Sequence, residues 1–436
     1  MKEVIRSADP RVAALIDRQA TQFVDLDYLN LDRITALLGK LGRPQDSLPP
    51  IFHVAGTNGK GSTCAFLRAA LEAAGKRVHA FTSPHLVRYN ERIRIAGQLI
   101  DDTRLAELMT RVVDANDSVG ASLFEVNTAV AFLAFTETPA DACILEVGLG
   151  GRLDATNVIE QSLVCGIASL GLDHQAFLGK SLVEVGAEKA GIAKRGVPLV
   201  TQLYPPAVAE RISEIAKKAG AKWEPRGGNW HASVRNEKLR YRDRQGDIEL
   251  PLPRLPGKHQ ALNAALAVAM LRHQSAITLP QSALTAAMGW ANWPARLQQL
   301  HAGPLYSMLP RGSELWVDGG HNPSAARLVA DYAGKHWQDG QPLVLLFASL
   351  KAKDAAGTLR PFKGLAAEVL TLPIEGHECR PPQELAHLAE SMGLAARARS
   401  GLADAMTALR NPARVLVFGS LYLAGELLGL NGPLPD

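Results

Sequence analysis

One segment constrains this chain more than any other: Ile51-Phe52-His53-Val54-Ala55-Gly56-Thr57-Asn58-Gly59-Lys60-Gly61-Ser62-Thr63. A short, largely apolar run leads into a turn with three glycines, a lysine and three hydroxyl residues, two of them paired as Ser62-Thr63. After it, 62–74 carries apolar residues at three- and four-residue spacing, so the segment reads as strand, turn and helix. Glycines let backbone N–H groups turn inward around phosphate oxygens, and the start of a helix adds positive dipole. Lys60 supplies a point charge, and Ser62 or Thr63 offers a hydroxyl to magnesium. The spacing departs from the common phosphate-loop pattern, because Gly61 lies between the lysine and the hydroxyl pair and the first glycine sits too close. Thr57, Asn58, Gly59, Lys60, Gly61, Ser62 and Thr63 are the candidate contacts to a nucleotide triphosphate.

Short apolar or β-branched runs at 51–55, 77–82, 142–148, 164–169 and 197–201 alternate with helical patterns such as 62–74 and 205–219. That alternation predicts an α/β protein with a mainly parallel sheet. Residues 224–254 alternate aromatic and charged side chains between turn signals and are expected to form an antiparallel hairpin insertion. Helices are expected at 260–273 and 280–288. The strand–helix alternation then restarts near Glu314, with strands expected near 314–318, 343–348, 368–372 and 414–418. The chain is therefore expected to hold two domains, 1–298 and 302–436.

Over 436 residues, 47 Lys and Arg face 43 Asp and Glu, for a formal charge of +4. So slight an excess is no nucleic-acid signature, and a small anionic substrate suits it equally well. Cys64, Cys143, Cys165 and Cys379 are scattered singly, with no close pair for zinc or redox work, and are expected as buried thiols in a reducing compartment. The start, MKEVIRSADPRVAALIDRQ, lacks the uninterrupted apolar core of a secretory signal, and no stretch reaches the roughly 20 apolar residues of a spanning helix. A cytoplasmic protein without membrane or nucleic-acid partners is expected.

Seven blocks carry a resemblance: HVAGTNGKGST, TSPHL at 82–86, YNERIRI at 89–95, LEVGLGGRLDATN at 145–157, LDH at 172–174, EKAGI at 188–192 and DGGHNP at 318–323. In this order, and stretching from residue 51 into the C-terminal domain, they resemble folylpolyglutamate synthase, including the bifunctional bacterial form that is also dihydrofolate synthase, within the wider Mur ligase family. The resemblance implies a phosphate-loop central domain with a mainly parallel sheet plus a smaller Rossmann-like C-terminal domain. It also implies an ATP-dependent ligase working as a monomer on ATP, L-glutamate and dihydropteroate or reduced folates.

The same resemblance implies magnesium ligands at Ser83, Glu146 and His174, with Lys189 carried as an N6-carboxylysine that adds a further carboxylate. Two magnesium sites are expected, with manganese tolerated at the one that holds the histidine. Glu146 also stands out by itself, because a carboxylate closing the apolar strand Ala142-Cys143-Ile144-Leu145 lies where open α/β sheets bind ligands. By resemblance Asn263 lies near the adenine, Arg296 on the phosphates and Asp318 on the nucleotide. Here Ala295 stands where the family commonly has glycine. His321 and Ser420 are expected to line the glutamate pocket, though Ser420 equally reads as the N-cap of a helix at 421–428. Phe124, Glu125, Asp154 and Ala155 are expected on the pterin side, an aromatic ring to stack and carboxylates to accept paired N–H bonds. Asn30-Leu31-Asp32-Arg33 stands where the family usually has Gly-Leu-Glu-Arg.

The implied chemistry is attack of a substrate carboxylate on the γ-phosphate of ATP, then displacement of phosphate from the acyl phosphate by the glutamate amine. Lys60, Lys189, His174 and His321 are the expected catalytic residues. Three alternatives stay open: a monofunctional folylpolyglutamate synthase, a Mur ligase acting on a UDP-muramyl peptide, and a nucleotide-regulated binding protein without catalysis.

Overall fold

A computed structural model describes residues 7, 9–21, 30–432 and 434. The expectation about the N-terminal stretch falls in part outside them. Among the described residues no helix is long and apolar enough to cross a membrane. The chain divides into two compact units, one running up to Arg254 and taking up Lys258–Asn292, the other holding Leu255–Gly257 and the chain from Trp293 onward.

The first unit is organised by eight strands: β1 (Ile51–Ala55), β2 (Val78–Phe81), β3 (Ile93–Ile95), β4 (Gln98–Leu99), β5 (Ala142–Glu146), β6 (Val164–Ile167), β7 (Pro198–Thr201) and β8 (Lys222–Pro225). Their spatial order is β4-β3-β2-β5-β1-β6-β7-β8. From β2 to β8 every pairing is parallel, while β3 and β4 extend the edge antiparallel. All five residues of β1 and of β5 are buried, as in a sheet covered on both faces. The helix Lys60–Ala73 buries residues on all its sides, because it packs against the sheet and against the helices Lys258–Arg272 and Gln281–Trp290. β1 lies between β5 and β6, so the carboxyl ends of three parallel strands meet at the loop that follows it.

Residues 224–254 do not form one hairpin. Lys222–Pro225 joins the large sheet beside β7, with Trp223 Nε1 donating to Thr201 Oγ1 at 3.2 Å. β9 (His231–Arg235), β10 (Lys238–Asp243) and β11 (Gly246–Pro251) form a separate three-stranded antiparallel sheet. That small sheet is held by a buried cluster in which Trp230 and Tyr241 stack at 5.8 Å, Tyr241 Oη donates to Asp243 at 3.0 Å, and the Arg272 guanidinium pairs with the same carboxylate at 2.6 Å.

The second unit carries β12 (Gln298–Leu300), β13 (Glu314–Val317), β14 (Leu343–Phe347), β15 (Ala366–Thr371), β16 (Ala396–Ala398) and β17 (Arg414–Phe418), ordered β12-β13-β17-β14-β15-β16. Only β12 runs antiparallel to its neighbour. Because β12 pairs with β13, residues 293–300 go with this unit. The helices Pro323–His336 and Pro382–Ser391 pack on the sheet around Leu345, Phe347, Phe362 and Phe418.

Asp243 is 2% exposed and Arg272 is 16% exposed, so Asp243→Ala leaves a nearly buried guanidinium without its partner. A loss of about 3 kcal/mol is expected in urea unfolding, with nucleotide binding intact in the folded protein.

Candidate active site

The loop after β1 is pinned to the neighbouring strand end before any ligand arrives. Thr57 N and Asn58 N donate to Ser169 O at 2.8 and 3.1 Å, and Thr57 Oγ1 donates to Gly171 O at 3.0 Å. Gly56 and Gly59 have φ of +152° and +85°. A Cβ on Gly56 would lie 2.8 Å from the Ala168 methyl, and one on Gly59 would lie 2.9 Å from Asn263 Cγ, so both positions exclude side chains by space as well as by backbone angle. Gly59 is the N-cap of the helix Lys60–Ala73 and offers no capping side chain, which leaves that end of the helix dipole open for an anion. The Lys60 ammonium folds back on Gly56 O at 3.1 Å. Thr63 Oγ1 donates to Gly59 O, while the Ser62 hydroxyl is buried with no hydrogen-bond partner.

Glu146 closes β5 beside this loop. It is 4% exposed, and its carboxylate accepts the Ser83 N–H at 3.3 Å. Two expected ligands therefore share one small region. The loop that carries Ser83 is shaped by Glu91, whose carboxylate accepts the N–H groups of Leu86, Val87 and Arg88 at 2.7–3.0 Å. His174 stands at φ +49° ahead of the helix Gln175–Leu178, its N–H donating to Asp173 Oδ1 at 2.8 Å. Lys189, near the end of the helix Leu182–Ala190, is 3% exposed, with Nζ 3.5 Å from Gly150 O. Burial pulls its ammonium from 10.5 down to about 7. The Lys60 charge pulls the same way, and Asp154, Asp173 and Glu188 pull against it.

Among the described residues no three His, Cys, Asp or Glu side chains cluster to hold a metal. The expected donor set does not require such a cluster, since it mixes a serine, a carboxylate, a histidine and a modified lysine. An orphaned, buried Ser62 hydroxyl beside Lys60 and a buried Glu146 carboxylate are hard oxygen donors of the kind a magnesium–phosphate pair takes, so the residues present fit that ion.

On the expected pterin side, the Phe124 ring lies against Gly148 and 5.9 Å from the Phe81 ring. Glu125 caps its own helix through Ser122 N at 2.7 Å and pairs with Arg33 at 3.3 Å, and its Oε1 is buried without a partner. Nothing in the Asn30–Arg33 block itself points to the partner of Arg33, which only the fold shows. Asp154 proves to be a loop organiser. It accepts from Leu149 N, Thr156 N and Thr156 Oγ1 at 2.8, 3.0 and 2.5 Å, and caps the turn that opens with Ala155. Burial pushes its carboxyl up. Asn263 rests against Gly59 and donates to Gln260 Oε1 at 3.1 Å, which puts it under the glycine-rich loop.

In the second unit, Asp318 is 4% exposed and binds two strands of chain. Its Oδ2 accepts Leu297 N at 2.9 Å and its Oδ1 accepts Gly320 N at 2.8 Å. Burial pushes its carboxyl up, and the Arg296 charge pulls it down. Ala295 sits at φ +54° and Leu297 at +45°. Ala295 therefore places a Cβ at a left-handed backbone position. Arg296 Nη1 donates to Ala295 O at 2.8 Å. His321 Nδ1 lies 3.4 Å from Gly319 O, and Ser420 takes the N-cap role, accepting Tyr422 N at 3.1 Å.

No protein-family model matches the chain. Among curated proteins, the dihydrofolate synthase/folylpolyglutamate synthase of Escherichia coli K12 is 33% identical over 402 residues, covering 92% of this chain and 90% of that one. The enzyme of that name from Bacillus subtilis is 34% identical over 351 residues, covering 77% and 79%. The structure of E. coli FolC in complex with DHPP and ADP is similar at a TM-score of 0.85 and 31% identity, covering 96% of this chain and 97% of that one. A bifunctional folylpolyglutamate synthase/dihydrofolate synthase with Mn, AMPPNP and L-glutamate bound gives 0.84 and 30%, covering 97% and 98%.

Two outcomes are expected. Gly59→Ala, strained and pressed on Asn263, weakens ADP binding ~10-fold or more by calorimetry, on the order of 1.4 kcal/mol or more, with unfolding still cooperative. For Lys189, the unfolded chain binds a proton that the folded chain lacks between pH of about 7 and 10.5, so stability rises with pH across that window. In bicarbonate-free buffer, the stability advantage of Lys189→Met over wild type should be largest at and below pH 7 and shrink toward pH 10, as read by urea unfolding.

Proposed function

The chain belongs to the dihydrofolate synthase/folylpolyglutamate synthase family, and from that membership we propose that it joins L-glutamate to dihydropteroate, giving dihydrofolate, and to the γ-carboxyl of reduced folates, giving folylpolyglutamate. It is an ATP-dependent amide-bond-forming ligase with a mixed α/β, Mur ligase-like fold. The observation that carries the reading is the loop at 56–63: a pre-formed cradle with an uncapped helix start, a lysine folded over it and an orphaned serine hydroxyl beneath.

The substrate carboxylate attacks the γ-phosphorus, ADP leaves, and the glutamate amine then displaces phosphate from the acyl carbon. Open N–H groups of the loop and helix start take the phosphate oxygens, and Lys60, released from Gly56 O, follows the negative charge that builds on the transferring group. A divalent cation, magnesium at two sites with manganese accepted, would be held by Ser62, Ser83, Glu146 and His174, and when bound it neutralises phosphate charge and orients the transfer. Lys189 serves as an N6-carboxylysine. Burial keeps much of its amine neutral near pH 7, and the neutral amine adds to carbon dioxide, forming an N–C bond and releasing one proton. The resulting carboxylate is a further hard oxygen donor.

Phe124, Glu125, Asp154 and Ala155 form the pterin side, with Asp154 acting chiefly through the shape of its loop. In the second unit Arg296 and Asp318 serve the nucleotide, and His321 serves glutamate, with Ser420 shaping that helix start. The chain works as a cytoplasmic monomer on small molecules, and its four unpaired cysteines accord with a reducing compartment.

The test is glutamate-dependent ADP release with dihydropteroate and with tetrahydrofolate in parallel, with bicarbonate present. Turnover with both is expected, and turnover with tetrahydrofolate alone would reduce the enzyme to one activity. Lys189→Ala is expected to lower kcat ~100-fold or more, about 3 kcal/mol in the barrier, while ADP affinity stays within a few-fold.

A further inference from the structure

His53 lies inside the strand that feeds the phosphate loop, yet nothing in the chemistry above uses it. It is fully buried in the centre of β1, opposite Leu145 of β5 and Cys165 of β6. Its Nε2 meets Thr156 Oγ1 at 2.8 Å, and Thr156 Oγ1 meets Asp154 Oδ1 at 2.5 Å. Its Nδ1 is buried with no partner. A polar ring in a strand whose other residues are apolar costs free energy unless its hydrogen bonds are made, so one nitrogen carries the whole justification for placing a histidine there.

The proton positions follow from counting. Burial pushes the Asp154 carboxyl up, while the N–H groups of Leu149 and Thr156 that it accepts favour the carboxylate, the form whose oxygens only accept. The single hydroxyl proton of Thr156 then goes to Asp154 Oδ1, and the hydroxyl oxygen is left to accept from His53 Nε2–H. With Asp154 as the carboxylate, this count makes His53 a neutral donor with its proton on Nε2. Burial and the nearby Lys194 charge hold its ionisation down at about 3, so it keeps this state across the working pH range.

The chain of bonds crosses two functional segments. One end is β1, three residues ahead of Gly56. The other is the loop from Gly148 to Asn157, which passes under the Phe124 ring at Gly148 and reaches the helix of Lys189, where Arg152 N donates to Glu188 O at 2.8 Å. We propose that His53, acting through Thr156 and Asp154, is a positioning residue that fixes the folate-side loop in register with the phosphate-loop strand, so that the pterin-bearing carboxylate is presented to the γ-phosphate. The inference rests on the functional reading above.

The test uses full-length His53→Leu, His53→Gln and Thr156→Val, the double variant His53→Leu/Thr156→Val, and steady-state assays with dihydropteroate, ATP and glutamate. Gln carries an N–H donor at the reach of Nε2, and Val keeps the outline of Thr without the hydroxyl. Expected are a rise of ~10-fold in KM for dihydropteroate in the Leu and Val single variants, KM for ATP and Kd for ADP within two-fold of wild type, and recovery to within about three-fold in the Gln variant. The double variant should be no worse than the worse single, since both cut one chain of bonds. Unchanged dihydropteroate KM in folded Thr156→Val overturns the proposal. So does equal loss of ATP and dihydropteroate affinity, which marks general damage to β1, and so does additivity in the double variant. A wild type inactive with dihydropteroate and with tetrahydrofolate sinks the functional reading instead, and the positioning role with it.

Discussion

Two backbone hydrogen bonds, from Thr57 N and Asn58 N to Ser169 O, hold the turn after β1 against the end of β6. Much of the first unit can be traced to that contact. Without it a glycine-rich turn is the most mobile part of an α/β unit, since glycine gives up more conformational freedom on ordering than any other residue. With it the turn is ordered before ligand binds, and the entropy of forming the cradle is met by folding and not by binding. Asn263 and Ala168 then close the space around Gly59 and Gly56, so the helix Lys258–Arg272, far along the chain, is part of the glycine-rich loop's scaffold.

Electrostatics around the loop follow from that packing. Burial falls heavily on Lys189, and the Lys60 charge adds to it in pulling that ammonium down. Lys189 is thus pushed toward a neutral amine by what packs over it and by the charge of the lysine in the glycine-rich loop. Asp154 shows the same logic in reverse. Burial works against its charge, and the loop answers with several donors, of which Thr156 is one and through which His53 is reached.

Legibility in the sequence varied with how local the cause was. The strand at 51–55, the loop and its helix were readable because glycine, lysine and hydroxyl chemistry is expressed within thirteen residues. Glu146 was readable because it ends an apolar run. The three-stranded sheet at 231–251 was not, because alternation marks strands without saying which sheet they join, and Lys222–Pro225 is drawn to β7 by pairing. The cap made by Ser420 depends on where the helix Leu421–Asn431 begins. The roles of Arg33, Asp154 and His53 depend on partners about a hundred residues away or on a buried turn, and no spacing rule reaches them.

By itself, then, the sequence determined the class of fold, the glycine-rich strand–turn–helix and the family's ordered blocks, because each is set by residues adjacent along the chain. Tertiary structure decided which side chains lose water and which polar groups they meet. That is why the neutral-leaning Lys189 and the orphaned Ser62 hydroxyl emerge only in three dimensions: desolvation depends on what packs over a group, and that is contributed by distant segments.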